Sequence, residues 1–192
     1  MSLIYSFLST VFFLLIIAFM QIIVDGIKRI IRKLLSIFLG SKLSIFILNY
    51  GTFIGTIHHE LSHAIFALLT GAKIVSVKLF TINKYKLGSV TYRLRGNILS
   101  KAIQQTIVSM APLLTALPTS YMLYKYGYKA TDSRMLHIII IYIIASIILQ
   151  SSMSDKDIRV LKEKLHINIS IISIFIWLIS IIIIQIKLQL GV

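Results

Sequence analysis

Apolar residues gather in five long runs, over residues 3–24, 43–69, 102–124, 135–150 and 167–186. Each is near the ~17–25 residues a helix needs to cross the hydrocarbon of a bilayer, the fourth being the shortest. The pattern predicts five membrane helices. Between the first two runs, residues 26–42 interleave Ile27, Ile30, Ile31, Leu34 and Leu35 with basic side chains. That spacing predicts an amphipathic helix on the membrane surface. After the second run the period changes. Gly71 is placed to end a helix, and Val75, Val77 and Leu79 then alternate with Ser76 and Lys78. Val90, Tyr92 and Leu94 alternate in the same way with Ser89, Thr91, Arg93 and Arg95. Period-two alternation on either side of a polar connection at 81–88 predicts a β-hairpin. Strand backbone left unpaired in lipid is costly, so the hairpin belongs at the interface or in a protein-lined cavity. The expected fold class is a multi-pass, all-α membrane protein with one small β-hairpin. With no linker-like stretch and no internal repeat, residues 1–192 read as a single membrane-embedded domain.

Composition supports that class. The chain is 57% hydrophobic with a mean hydropathy of +0.92, which soluble domains do not reach. Its formal charge of +14 comes from Lys and Arg placed mainly between the apolar runs, where they meet anionic headgroups; this argues for a lipid bilayer as partner and against nucleic acid. The N-terminus has no basic n-region and no clear cleavage site, so its apolar run reads as a retained helix. The expected location is the cell membrane. Cysteine is absent, which excludes disulfides, thiolate metal sites and cysteine nucleophiles.

One pentapeptide, His59-Glu60-Leu61-Ser62-His63, specifies a chemistry. On a helix, His59 and His63 stand four residues apart on one face and can reach a single metal ion, with Glu60 beside them to handle a water molecule. Polar clusters in an apolar segment are expensive and call for a functional reason. A catalytic zinc ordinarily has three protein ligands, so a third is needed. His58 lies about 100° around the helix from His59 and cannot share its metal. If the third and fourth runs both cross, Asp132 and His137 fall on the opposite side, and Asp25, at the end of the first run, does too. Asp155 and Asp157 remain, just past the fourth run, with Glu163 and His166 beyond. Crossing geometry favours one of the two aspartates and does not choose between them.

The motif with its downstream residues through Phe80, the hairpin, Met110-Ala111-Pro112-Leu113-Leu114 and Ser154-Asp155-Lys156-Asp157-Ile158 together resemble the site-2 protease family of intramembrane zinc metalloproteases. The resemblance covers roughly residues 55–160. It implies a Zn2+ cofactor held by His59, His63 and a later aspartate, Glu60 as the catalytic acid and base, and a membrane-protein or membrane-anchored peptide as substrate. Many members carry a Leu-Asp-Gly motif that this chain lacks. A divergent branch has Pro-Ser-x-x-Asp, which Met153-Ser154-Asp155-Lys156-Asp157 matches except at the proline; that register implies Asp157. The asparagine that many members carry after Gly-Pro-Leu has no counterpart here. Two other readings exist. A CAAX-type membrane protease needs a ligating glutamate, for which Glu163 is the one later choice. A non-proteolytic membrane metal-binding or interaction protein could use the same residues without cleavage. Ser154 and the aspartates also read as an ordinary helix start, Pro112 and Pro118 as kinks, and Tyr121, Tyr124, Tyr126 and Tyr128 as an interfacial aromatic belt.

Overall fold

The computed structural model describes residues 3–82 and 87–163. It is mostly helical with one two-stranded sheet. The elements are α1 (Leu3–Gly51), α2 (Phe53–Leu69), β1 (Lys73–Lys78), β2 (Ser89–Arg93), α3 (Ile98–Met122) with a π-helical turn at Leu123–Tyr128, α4 (Arg134–Gln150) and α5 (Asp155–Glu163). Two helical stretches, Val11–Gly51 and Ile98–Tyr128, are long and apolar enough to cross a membrane. A third qualifies if α4 and α5, bent by 45° at their junction, count as one span. At 17 residues, α2 sits at the short end of the spanning range. The fifth apolar run, with Trp177, lies outside the described residues, as does His166.

Two expectations at the N-terminal end are corrected. The first helix does not stop near Val24, and 26–42 is not a separate surface helix. Both belong to α1, whose backbone leaves helical geometry only at Gly40 (φ 75°). Lys and Arg are good helix formers, so the basic stretch changes what the helix meets without ending it. Gly40 can take a positive φ at little cost, and the chain re-forms a helix until Gly51. There the second apolar run, expected as one helix over 43–69, divides between α1 and α2. The break is held from α4: Tyr142 donates its hydroxyl to the Gly51 carbonyl (2.7 Å), and the Gln150 amide donates to Thr52 Oγ1 (2.6 Å).

α2 is built inside-out relative to a soluble helix. Gly55, Thr56, Ser62, His63, Ala64 and Ala67 are buried, whereas Leu61, Ile65, Leu68 and Leu69 are exposed. Small and polar residues at helix contacts with large apolar ones outside is the pattern of a bundle in lipid. α3 runs antiparallel to α2, with paired contacts at His63–Val108, Ser62–Thr115 and His58–Thr119. α4 runs parallel to α2, with Gly55 against Ser146 and His59 against Gln150. A Cβ on Gly55 would collide with the Ser146 carbonyl; only glycine lets these backbones meet so closely.

Gly71 (φ 82°) closes α2 as expected. The Ala72 N–H bonds the Ala67 carbonyl (2.8 Å) and the Gly71 N–H bonds Leu68 (3.0 Å), the paired bonds of a Schellman motif. This turn feeds directly into the hairpin. β1 and β2 pair antiparallel, Lys73 with Arg93 through Lys78 with Ser89, and a bulge falls between Ile74 and Ser76. The hairpin is anchored where Ile74 and Tyr92 pack on Ala67, Ala72 and Val108.

α1 also reaches the far end of the bundle. Gln21 clamps the α4–α5 loop: its Oε1 accepts from the Met153 N–H (2.8 Å) and its Nε2 donates to the Met153 carbonyl (3.2 Å). Lys28 donates to Ser152 Oγ (2.6 Å). Asp25, which accepts from Gln21 Nε2, is therefore level with this loop, because α1 runs on past Val24 and leaves helical geometry only at Gly40. Gln21→Leu should release the loop that carries Asp157. Zinc affinity, measured by competition with a chromophoric chelator, should fall by roughly tenfold, the lower end for loss of an outer-shell partner. An unchanged affinity would show that the clamp does not position the loop.

Candidate metal centre

His59 and His63 occupy successive turns of α2 and turn their Nε2 atoms to face one another at 3.1 Å. Each ring is fixed through its other nitrogen. His59 Nδ1 lies 2.8 Å from the Gln150 carbonyl at the C-terminus of α4, and His63 Nδ1 lies 2.7 Å from the Val108 carbonyl in α3. A carbonyl only accepts, so both Nδ1 atoms carry a proton, and in the neutral imidazoles both Nε2 atoms then present a lone pair. Asp157 Oδ2 stands 3.6 Å from His63 Nε2. The three donor atoms lie within 4.8 Å of one another.

This donor set fits a metal ion. With both imidazoles neutral, three lone pairs converge, a repulsive arrangement unless a cation lies between. Tetrahedral bonds of ~2.0–2.1 Å place ligand atoms about 3.4 Å apart; the His59–His63 and His63–Asp157 pairs, at 3.1 and 3.6 Å, bracket that separation, and all three donors lie within 4.8 Å. Two nitrogens and one oxygen are a zinc-type set, and three protein ligands leave a position open. Among the described residues, no other group of histidine and carboxylate side chains is gathered this way.

α5 explains why Asp157 and not Asp155 arrives. Ser154 is the residue before the helix, and Asp157 is three residues on. Ser154 N–H and Oγ–H both donate to Asp157 Oδ2 (3.1 and 2.6 Å), and Asp157 N–H reaches back to Ser154 Oγ (3.3 Å). This is a capping box with aspartate in the glutamate position. It points the carboxylate back toward the loop and the histidines. Asp155, in the first turn, is exposed. The helix-start reading and the ligand reading of this segment are thus both satisfied, by the same carboxylate.

The donors open into a cavity of about 580 Å3, lined also by Glu60, Tyr92, Lys28 and Asn49. Glu60 is held against the hairpin: a Cβ added at Gly88 would lie 2.6 Å from Glu60 Cγ, so the strand's approach to the glutamate depends on that glycine. Burial, reinforced by the Asp157 charge, pushes the Tyr92 phenol up to about 12. Tyr92 therefore stays neutral.

The remaining sequence candidates lie elsewhere. His58 bonds Thr119 (3.1 Å) on the α3 side of the helix. His137 donates from Nε2 to the Tyr128 and Thr131 carbonyls and stacks on Tyr128. Asp132 is exposed. Asp25 is not a ligand, although it sits at the right level. For Glu163 only the backbone is described. Sequence reasoning missed Gln21, Lys28 and Asn49 because α1 contributed no motif, and Gln150 because it meets His59 through its backbone carbonyl. Tyr92 was within reach of the strand alternation, which already put it on one face with Val90; both line the cavity. Comparison with family models, curated protein sequences and solved structures returns no match.

Proposed function

We propose that this protein is a multi-pass intramembrane zinc endopeptidase that cuts a peptide bond in or near a transmembrane segment of a membrane protein. The observation that supports it most is the gathering of His59, His63 and Asp157 within 4.8 Å of one another, the two histidines on a helix whose outer face is apolar, with Glu60 lining the same cavity. Zinc, when bound, supplies Lewis-acid polarisation and an acidified water. The chain's own residues do the rest. Glu60 takes a proton from the attacking water and returns it to the leaving amine. Tyr92 offers its O–H to the oxygen that gains charge at the scissile carbonyl. Ser89 and Val90 line the cavity, so β2 runs beside the metal ligands. A substrate helix unwound over a few residues can pair with that strand by β-addition, which satisfies its freed backbone groups and presents a carbonyl to the site.

Glu60→Gln separates this from metal carriage. Purified wild type should hold zinc and cleave a reconstituted transmembrane reporter. The variant should hold as much zinc by elemental analysis and lose cleavage by roughly 10²–10⁴-fold, the ordinary worth of a general base. Equal cleavage by both proteins would overturn the assignment. Zinc binding with no cleavage of any transmembrane reporter by wild type would favour a metal-binding protein.

A further inference from the structure

α3 carries two prolines, Pro112 and Pro118, well inside the helix. A helical carbonyl at position i ordinarily accepts from the N–H at i+4, and proline has none. The carbonyl left without its helical partner by Pro112 is that of Val108. Val108 is almost fully buried, so water does not reach the vacated lone pair, and an unsatisfied carbonyl there is heavily penalised. The group that fills it is His63 Nδ1, at 2.7 Å.

We propose that Pro112 is a positioning residue of the metal centre: by withholding an N–H it reserves the Val108 carbonyl for His63. The inference rests on the reading of His63 as a ligand. It explains how a ligand in mid-helix obtains a backbone partner from another mid-helix, where carbonyls are ordinarily consumed. His59 needs no such device, because its partner, Gln150, is the last residue of α4 and helix ends have free carbonyls already. The two ligands therefore draw on two different sources of vacant carbonyl. The bond holds His63 as the Nδ1–H tautomer with Nε2 bare toward His59 and Asp157, and it raises the basicity of that nitrogen. Pro118 supplies the control. It frees the Leu114 carbonyl in the same helix, but Leu114 packs with Ile17, Met110 and Leu113 rather than with a ligand.

Pro112→Ala restores an N–H that bonds Val108 and draws its carbonyl back along the helix axis. The full chain in detergent is compared as wild type, Pro112→Ala and Pro118→Ala by two readouts. The first is the 15N spectrum of histidine-labelled protein, which reports the His63 tautomer with or without metal. The second is zinc affinity by chelator competition. Pro112→Ala should mix the Nε2–H tautomer into His63 and weaken zinc by ~10–100-fold, the range for loss of a ligand's outer partner. Pro118→Ala should change neither. An unaltered His63 tautomer in Pro112→Ala, or an equal loss in Pro118→Ala, overturns the proposal. If instead wild type and His63→Ala take up zinc equally, the metal-centre reading fails, while the tautomer comparison still decides the role of Pro112.

Discussion

Asp157→Ala abolishes stoichiometric zinc, and Asp155→Ala leaves it intact: this is the expected result of metal analysis on the purified variants. The two residues are neighbours with the same chemistry, and only one is gathered with His59 and His63. Removing an anionic ligand should weaken binding by more than the ~10–100-fold that an outer-shell loss costs. Asp157→Ala carries a second cost, because the same carboxylate caps α5 through Ser154; loss of a cap destabilises by about 0.5–2 kcal/mol. Ser154→Ala tests how far the roles separate. It removes the cap hydroxyl but keeps the carboxylate, so it should show the capping cost with a smaller fall in zinc affinity. Loss of zinc from Asp155→Ala, with retention in Asp157→Ala, would refute the ligand set.

The second large effect is expected at a backbone crossing one turn before His59. Gly55→Leu should destabilise the fold by at least the ~1–3 kcal/mol of ordinary overpacking, because even its Cβ meets the Ser146 backbone. α2 and α4 can relieve the clash only by separating, which withdraws the Gln150 carbonyl from His59 one turn along. Zinc affinity and thermal stability in detergent should therefore fall together. Gly26→Ala is the counterpart. Nothing lies within 4 Å of a Cβ there, and replacing a mid-helix glycine should raise stability by about 0.5–1 kcal/mol. A Gly55→Leu protein with wild-type stability would mean that the α2–α4 crossing is not as close as described.

Both expectations express the same design. The two histidines are not held by polar side chains of their own helix. They are held by backbone carbonyls of α3 and α4, and the carboxylate is held by a loop that α1 clamps. Each candidate ligand is thus oriented from a different neighbouring helix, so the site reports on the assembly of the whole bundle.

Much of this was legible in the residues. The His59–His63 spacing defines a shared helix face in any helix, because 3.6 residues per turn is a property of the backbone. Period-two alternation around 81–88 specified the hairpin, and Gly71 its preceding helix end, since both depend on local geometry alone. Counting crossings brought the segment after Gln150 to the level of His59, and the parallel α2 and α4 place it there. The same counting misplaced Asp25. It took the change from apolar to basic composition as the end of a helix, whereas nothing before Gly40 breaks the backbone.

The chain by itself therefore determined the apolar class, the helix with two histidines on one face, the hairpin and a short list of carboxylates. Each follows from local periodicity or from counting helices. Only the tertiary structure decided which aspartate arrives, that α1 reaches the site, and that Val108 and Gln150 supply the carbonyls behind the two histidines. Those are contacts between residues 45 to 132 positions apart, set by how helices pack, and local pattern carries no record of them. Pro112 shows the difference most directly: as a residue it predicts a missing hydrogen bond in α3, and the fold alone determines that His63 is what fills it.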